Sequence, residues 1–275
     1  MTIPGQKGFR PVPFTLPAGG AAARLAAVLD RHEALAIAVS GGVDSMTLAS
    51  FTHRRGRTAV TVIHAISPAV PPAATVRVKT RAAQEGWTLI LTGTGEFEDA
   101  RYRDNPADRC YFCKTNLYDR IRDLTPHVIA SGANLDDLGD FRPGLLAAAE
   151  RQVVHPFIEA GIGKAAIRGV ARALGLDDVA ELPAQPCLAS RVETGIAIDA
   201  DDLAFVDMVE TRLTPFVPAG VDLRCRITHD GVVIETGAGT DELRLAGEAA
   251  LLCAAGRRNF AGVRPYVRGA MFIRG

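Results

Sequence analysis

The chain has 275 residues, of which 48% are hydrophobic and 23% are charged. These fractions are ordinary for globular proteins and exclude a disordered, collagenous or coiled-coil chain. The 31 Lys and Arg residues balance the 31 Asp and Glu residues, so the composition argues against a protein that coats nucleic acid or an anionic membrane. Any phosphate recognition must therefore be local.

The sequence also limits where the protein acts. No segment approaches the roughly 18–20 uninterrupted apolar residues of a membrane helix, and no export-type cleavage pattern follows the apolar run at 21–29. Five cysteines in a chain of this length do not predict a disulfide framework and favour a reducing compartment. We therefore expect a cytoplasmic protein with no membrane partner.

The first two thirds of the chain predict alternating strands and helices. A flexible leader rich in Pro and Gly, residues 1–20, precedes a helix that starts at residue 21. Apolar runs predict five strands, at 35–39, 59–66, 88–92, 127–131 and 153–155. Helical periodicity follows at 44–51, 73–85, 113–124, 143–150 and 163–174. This alternation predicts a doubly wound, mostly parallel α/β sheet, which we assign to a domain at 21–195.

A different texture begins after residue 182 and predicts a small α+β module at 196–275. It contains a helix at 201–213, two antiparallel strands at 222–228 and 232–236, a second helix at 241–254 and an Arg- and Gly-rich tail. The turn His229-Asp230-Gly231 joins the two strands. We expect this module to serve substrate binding and oligomerisation.

A glycine-bearing loop lies between the first predicted strand and its helix, with the sequence Ser40, Gly41, Gly42, Val43, Asp44, Ser45. Backbone N–H groups at such a helix start favour an anion, and glycines let phosphate oxygens approach closely. No Walker motif and no Gly-x-Gly-x-x-Gly motif occurs in the sequence. The spacing favours phosphate binding over a plain turn with a Ser or Asp cap.

This loop resembles the PP-loop of ATP pyrophosphatases, which split ATP into AMP and pyrophosphate. Three further blocks, at 105–114, 132–144 and 186–191, are similar in order and spacing to the LarE family of ATP-dependent sulfurtransferases. The resemblance implies a fold like that of the adenine nucleotide alpha hydrolases. It also implies adenylation of a carboxylate of pyridinium biscarboxylic acid mononucleotide, followed by sulfur insertion, a step in making the nickel-pincer nucleotide.

Three cysteines fall in these blocks. Cys110 and Cys113 are three positions apart, so both thiols can reach one ion, and Cys187 follows much later. By spacing alone the pair fits a redox disulfide, two buried thiols, an iron–sulfur cluster with one open iron or, with a fourth ligand such as His155, a zinc site. The resemblance implies either a [4Fe–4S] cluster with an extra sulfide, or Cys187 as a sacrificial sulfur donor.

Polar residues follow the fourth predicted strand at its carboxyl end, where ligands bind in open α/β sheets. They include Gly132, Asn134, Asp136, Asp137 and Arg142, and their carboxylates are suited to Mg²⁺. A simpler interpretation is an Asp-rich loop that caps the next helix. The resemblance places this block in the active-site wall, and it assigns ATP binding to the 40–45 loop, Ser67, Gly132, Asn134, Asp137 and Arg142.

The C-terminal module carries a further set of charges. Arg224 and Arg226 alternate on one predicted strand and project from the same face. The resemblance implies that they bind the substrate phosphate together with Ser190 and Arg191, and that Cys187, Asp44, Glu210 and Glu235 are catalytic. Taken alone, such charges are more often solvated.

Other candidates have plainer interpretations. His64, His127 and His155 fit interior imidazoles, and Cys225 and Cys253 fit small apolar side chains. The arginines of the tail, Arg257, Arg258, Arg264, Arg268 and Arg274, fit a solvated tail or a subunit contact.

We therefore predict a PP-loop sulfurtransferase that uses ATP, Mg²⁺ and a [4Fe–4S] cluster, acts on a small nucleotide, forms a homo-oligomer and does not bind nucleic acid. One alternative is a PP-loop tRNA thiolase or an amide-forming synthetase. Another is a non-catalytic module that binds an adenylate or a cluster and regulates a partner.

Overall fold

The computed structural model of the protein describes residues 2–3, 20–139 and 142–267. Two compact units divide the chain: unit 1 comprises residues 1–96 and 110–185, and unit 2 comprises residues 97–109 and 186–275. The leader predicted at 1–20 lies outside the described residues except at 2, 3 and 20. The domain division at 195 and 196 stays a prediction.

The helices and strands follow the chain in this order: β1 (Thr2–Ile3), α1 (Gly20–Leu29), β2 (Ala34–Ala38), α2 (Val43–Arg55), β3 (Ala59–Ala65), α3 (Pro72–Glu85), β4 (Thr88–Thr92), α4 (Ala100–Arg103), α5 (Arg109–Leu124), β5 (Val128–Ser131), α6 (Pro143–Glu150), α7 (Pro156–Glu159), α8 (Lys164–Ala173), α9 (Asp177–Ala180), α10 (Ala200–Leu213), β6 (Leu223–Thr228), β7 (Gly231–Thr236), α11 (Glu242–Ala255) and β8 (Phe260–Pro265). Short 3-10 helices lie at Leu135–Gly139, Leu188–Arg191 and Thr214–Phe216. Among the described residues, no helix has both the length and the apolar character that crossing a bilayer requires.

Unit 1 contains one sheet with the strand order β1-β4-β3-β2-β5. Strands β2 to β5 are all parallel, and β1 adds an antiparallel edge against β4. The predicted α/β fold is thereby confirmed. The strand predicted at 153–155 is wrong, because Val154 makes a single bridge to Ala130 and does not continue into a ladder.

Alternate residues of the central strand pack on opposite faces of this sheet. Leu35 and Ile37 join the core that contains the apolar sides of α1, α2 and α8. Ala36 joins a second core with α5, where Tyr118 and Ile121 are buried. Covering on both faces explains why β2 is an uninterrupted apolar run, as is usual for strands of parallel sheets. The sheet is therefore doubly wound, and the carboxyl ends of its strands are where a ligand is expected to bind.

Unit 2 contains a three-stranded sheet with the order β6-β7-β8, in which β6 and β7 are antiparallel. The hairpin agrees with the predicted strands and turn. Strand β8 runs parallel to β7 over Phe260–Pro265, where the sequence analysis expected only an Arg- and Gly-rich tail. That part of the tail prediction is wrong. Residues 268–275 lie outside the described residues, and with them the predictions for Arg268 and Arg274.

Candidate active site

The strand order of unit 1 creates a switch point between β2 and β5. The chain moves from β2 outward through β3 to β4, and then returns to the other side of β2 to form β5. The loops that leave β2 and β5 therefore diverge, and the crevice between such loops is where open α/β sheets bind ligands. The loops at this point are residues 40–45 and 132–137, both of which the sequence marks as functional.

The 40–45 loop is a tight turn held by its own serines. Gly41 has a φ of +86° and stands so close to α3 that a Cβ would lie 2.9 Å from the carbonyl oxygen of Ala74, which explains the requirement for glycine. The backbone N–H of Ser40 donates to Ser45 Oγ at 3.1 Å, and the two serine Oγ atoms lie 3.2 Å apart. No side chain caps the start of α2 at Gly42. Ser40 Oγ accepts from the N–H of Gly42 at 3.4 Å, and the turn leads directly into the N-terminus of α2.

Gly132 brings the two loops into backbone contact. A Cβ at Gly132 would lie 2.7 Å from the backbone nitrogen of Ser45 and 2.9 Å from its Cα. Real side chains do not tolerate such distances, so the two loops approach one another only because residue 132 has no side chain. The sequence analysis expected Gly132 and Ser45 in one site, and the structure does bring these two residues together.

Asp44 points from the first turn of α2 to Lys164, at the first position of α8. The distance from Lys164 Nζ to Asp44 Oδ2 is 2.8 Å, whereas Asp44 Oδ1 is buried with no hydrogen-bond partner. Burial raises the pKa of Asp44, an effect that the ammonium group of Lys164 opposes. A buried carboxylate oxygen without a hydrogen-bond partner has the donor chemistry that Mg²⁺ prefers.

The 132–137 loop is ordered by its own polar side chains. Asp137 accepts from the backbone N–H of Asn134 at 3.1 Å and pairs with Arg142 at 2.8 Å. Asn134 is buried and accepts from the N–H of Asp136, while Asp136 Oδ2 accepts from the backbone N–H of Lys164 at 2.8 Å. Asp136 therefore caps the first residue of α8, whereas the simpler interpretation of this loop expected a cap on the next helix along the chain, α6.

Ser67 and His64 lie near the carboxyl end of β3, the strand beside β2. Ser67 lies beyond β3 at the same carboxyl edge, where its Oγ accepts from the N–H of Ala69 at 3.0 Å. His64 is buried within β3: its Nδ1 lies 2.7 Å from the carbonyl of Val39 and its Nε2 lies 2.9 Å from Thr75 Oγ1. A carbonyl can only accept, so Nδ1 carries a proton, and the His64 ring links the 40–45 loop to α3. Burial lowers the pKa of His64.

The sequence analysis missed residues that brace this site from a distance in sequence. Arg77 donates through Nη1 to the carbonyl of Gly41 at 2.7 Å, and Lys164 reaches Asp44 across 120 residues. The sequence analysis gave neither residue a role in the site. The signal available for Lys164 was its position at a helix start after Gly163, within reach of the strand ends.

Two of the predicted thiols lie on α5 in unit 1. Cys110 and Cys113 are one turn apart on the helix, and both are partly buried. Residues at this spacing share one face of a helix, so both sulfurs can serve one group. Within either unit, the residues that the structure describes include no set of three His, Cys, Asp or Glu side chains arranged to hold a metal ion. Cys187 belongs to unit 2, and the three-thiol site stays a prediction.

Cys187 is exposed at the start of the 3-10 helix Leu188–Arg191, and Arg191 holds its backbone. Arg191 Nη1 donates to the carbonyls of Pro186 at 2.7 Å and Cys187 at 3.2 Å, and to Ser190 Oγ. Its other nitrogens make a bidentate pair with Glu210 at 3.0 Å each. Although burial opposes its charge, the Glu210 carboxylate raises the pKa of Arg191. The predicted residues Cys187, Ser190, Arg191 and Glu210 thus lie together.

The remaining predicted residues lie on the sheet of unit 2. Arg226 is buried and donates to Glu235 at 2.7 Å and to the carbonyl of Ser190 at 2.9 Å. Glu235 also accepts from Arg264 on β8 at 2.8 Å. The Arg264 side chain is 45% exposed, so it is in part solvated, as expected, but it is also paired within the sheet. Arg224 stacks on the ring of Tyr266, 5.4 Å from its centre. Directly paired residues of neighbouring strands share one face of a sheet, as do alternate residues of one strand. Arg224, Arg226, Glu235 and Arg264 therefore lie on one face of the sheet of unit 2.

Comparison with known proteins identifies relatives, two of which are uncharacterised and one of which is named as a synthase. No protein-family model matches the chain. It is 31% identical over 124 residues to the uncharacterised protein MJ0830 of Methanocaldococcus jannaschii, of which it spans about half (48%, and 44% of this chain). It is 28% identical over 196 residues to the pyridinium-3,5-bisthiocarboxylic acid mononucleotide synthase of Lactiplantibacillus plantarum, covering 70% of this chain and 71% of that protein.

A further relative comes from Synechocystis. The chain is 38% identical over 182 residues to the uncharacterised protein slr1717, covering 64% of this chain and 67% of that protein. The chain therefore belongs to the same protein family as slr1717.

Proposed function

We propose that this protein is an ATP-dependent sulfurtransferase of the LarE type, which activates a carboxylate by adenylation and then replaces one of its oxygens with sulfur. The observation that carries the proposal is the 40–45 loop at the β2/β5 switch point, where Gly132 allows backbone contact with Ser45. The similarity to the Lactiplantibacillus synthase supports the choice of substrate class.

In this proposal the 40–45 loop holds the pyrophosphate end of ATP. The uncapped N–H groups at the start of α2 and the hydroxyls of Ser40 and Ser45 supply donors to phosphate oxygens. Asp44 would hold the Mg²⁺ that neutralises the phosphates, because its Oδ1 is buried and lacks a hydrogen-bond partner. Asp137 accepts from the N–H of Asn134 and forms an ion pair with Arg142. It would therefore shape the wall of the ATP site, which also contains Ser67.

The first chemical step is a displacement at the α-phosphorus of ATP. A carboxylate oxygen of pyridinium biscarboxylic acid mononucleotide forms the new P–O bond, and the bond to the β-phosphate oxygen breaks to release pyrophosphate. The loop contributes by positioning the phosphates and by stabilising charge on the leaving group, not by covalent chemistry. The acyl-adenylate that results has AMP as a good leaving group.

The second step replaces AMP with sulfur. In the sacrificial route, the Cys187 thiolate attacks the acyl carbon and releases AMP; loss of the Cys187 α-proton then breaks the Cβ–S bond, leaving a thiocarboxylate and dehydroalanine. In the cluster route, Cys110, Cys113 and Cys187 would hold a [4Fe–4S] cluster that supplies the sulfide. Their thiols are a suitable donor set for such a cluster. Arg224 and Arg226 would bind the substrate phosphate.

The test is to incubate the protein anaerobically with Mg²⁺, ATP and the biscarboxylic mononucleotide and to quantify nucleotide products. We expect AMP and pyrophosphate in equal amounts and no ADP. ATP binding without pyrophosphate release would favour a regulatory module, and retention of the protein on tRNA would favour a tRNA thiolase. Either result would contradict the proposal.

The sulfur source is tested with two variants. Cys187→Ser should abolish thiocarboxylate formation in both routes but leave pyrophosphate release measurable. Cys110→Ala should abolish sulfur transfer only in the cluster route. Two measurements distinguish the routes. In the sacrificial route, the intact mass of the chain falls by one hydrogen sulfide after turnover. In the cluster route, anaerobic reconstitution with iron and sulfide yields a brown protein.

A further inference from the structure

Arg77 connects the 40–45 loop to Gln185. It lies on α3, one turn after Ala74, the residue against which Gly41 packs so closely that a side chain would not fit. Arg77 Nη1 donates to the carbonyl of Gly41 at 2.7 Å and to Gln185 Oε1 at 3.1 Å. Each terminal nitrogen of a guanidinium group has two N–H bonds, so this one nitrogen can serve both acceptors at once.

Gln185 stands just before a sulfur-bearing residue. Residues 183–187 are exposed and lie outside the helices and strands. Cys187 follows Gln185 by two positions, and two residues of chain span at most about 7 Å. The contact of Gln185 with Arg77 therefore fixes the point from which the chain leads to the Cys187 thiol.

Other arginines hold the chain on both sides of this contact. Before it, Arg168 of α8 donates to the carbonyl of Leu182 at 2.7 Å. After it, Arg191 donates to the carbonyl of Cys187 at 3.2 Å. Both of these arginines hold backbone carbonyls near the contact, whereas Arg77 joins the segment 183–187 to the 40–45 loop.

The acyl-adenylate of the proposed function is open to a competing reaction. A water oxygen can attack its acyl carbon, which releases AMP and regenerates the original carboxylate, so that ATP is consumed without sulfur transfer. Enzymes suppress such hydrolysis by excluding water and by holding the correct nucleophile in place. A residue that fixes the segment leading to Cys187 would therefore raise the fraction of the intermediate that becomes thiocarboxylate.

We propose that Arg77 is a positioning residue that couples the 40–45 loop to the sulfur donor, because it holds Gly41 and Gln185 at the same time. The inference rests on the proposed function, and it adds the residue that directs the intermediate to sulfur and away from water. It applies to both sulfur routes, since each of them needs Cys187 at the end of the segment 183–187.

The test is a single turnover of the full-length protein with Mg²⁺, ATP and less than one equivalent of the biscarboxylic mononucleotide. Thiocarboxylate formed is counted against pyrophosphate released, and the unaltered protein should give nearly equal amounts. Gln185→Ala and Arg77→Met should each lower this ratio about threefold or more, and the missing thiocarboxylate should appear as regenerated carboxylate and AMP. A general loss of active protein does not change the ratio, because both products come from the same reaction.

Two further variants separate coupling from independent effects. Arg77→Met combined with Gln185→Ala should give the same ratio as Arg77→Met alone, because the two changes remove one shared contact. Arg81→Met is the matched control, because Arg81 lies one turn further along α3 and pairs with Asp178 at 2.7 Å. This control should keep the ratio of the unaltered protein.

Gln185→Ala carries the test even if Arg77→Met does not fold, because Gln185 is exposed and its replacement should leave the fold intact. An unchanged ratio in Gln185→Ala would overturn this inference alone. The same holds for a double variant whose fall equals the product of the two single falls, and for an equal fall in Arg81→Met. An unaltered protein that releases no pyrophosphate would overturn the proposed function instead.

Discussion

Replacing Gly132 with alanine should weaken both nucleotide binding and the stability of the fold. The added methyl carbon would lie 2.7 Å from Ser45 N, 2.9 Å from Ser45 Cα and 3.0 Å from the carbonyl carbon of Asp44. Non-bonded atoms of this kind settle at about 3.5 Å, so the two loops must separate by about 0.8 Å. Overpacking of this kind costs about 1–3 kcal/mol of unfolding free energy. A shift near 1 Å in a positioned site costs up to about 100-fold in rate.

The assay pairs chemical denaturation with titration of Mg²⁺-pyrophosphate. We expect Gly132→Ala to fold, to lose stability within that range and to bind pyrophosphate at least tenfold more weakly, a loss of about 1.4 kcal/mol. The matched control is Gly169→Ala in α8, where an added Cβ meets nothing within 4 Å and should stabilise the helix by up to about 1 kcal/mol. Pyrophosphate affinity unchanged in Gly132→Ala would refute the reasoning that loop contact creates the site.

Three further outcomes follow from buried and capping groups. Glu235→Gln leaves the charge of Arg226 without its partner, and the Glu235 and Arg226 side chains are only 1% and 6% exposed. The free energy of unfolding should therefore fall by about 3–5 kcal/mol. A loss below about 1 kcal/mol would contradict the burial of this pair. Asp199→Ala removes the side chain that accepts from two N–H groups at the start of α10, which should cost about 1 kcal/mol by denaturation, and no loss would mean that solvent replaces the cap. Burial lowers the pKa of His64, so the contribution of His64 to the free energy of unfolding should be present above the unfolded pKa of 6.5 and decline as the pH falls below it. Between pH 7.5 and pH 5.5, the free energy of unfolding should therefore decline less in His64→Asn than in the unaltered protein. Equal declines in the two proteins would argue against a buried neutral ring.

The sequence predicts those parts of the fold that local patterns specify. β2 and the 40–45 loop are visible because an apolar run ends at glycines before a helix, and strand β4 has the bounds that its apolar pattern predicts. The site residues after β5 are visible because carboxylates follow a strand end. In each case neighbouring residues carry the whole signal.

The elements that the sequence did not predict depend on distant partners. Strand β8 contains Gly262 and ends at Pro265, so its local propensity is low, and it forms because β7 offers a free edge to pair with. Helix α5 begins at Arg109 and not at residue 113 as predicted, which places Cys110 inside the helix. Lys164 and Asp44 are 120 residues apart, and their contact results from the packing of α8 beside α2.

The central claim, that the protein activates a carboxylate at the α-phosphorus of ATP, is tested most directly with an isotope. The biscarboxylic mononucleotide is labelled with ¹⁸O in its carboxylates, incubated anaerobically with the protein, Mg²⁺ and ATP, and the products are examined by mass spectrometry. The account predicts one ¹⁸O atom in each AMP formed, with unlabelled pyrophosphate. AMP without label, or label in inorganic phosphate, would contradict it.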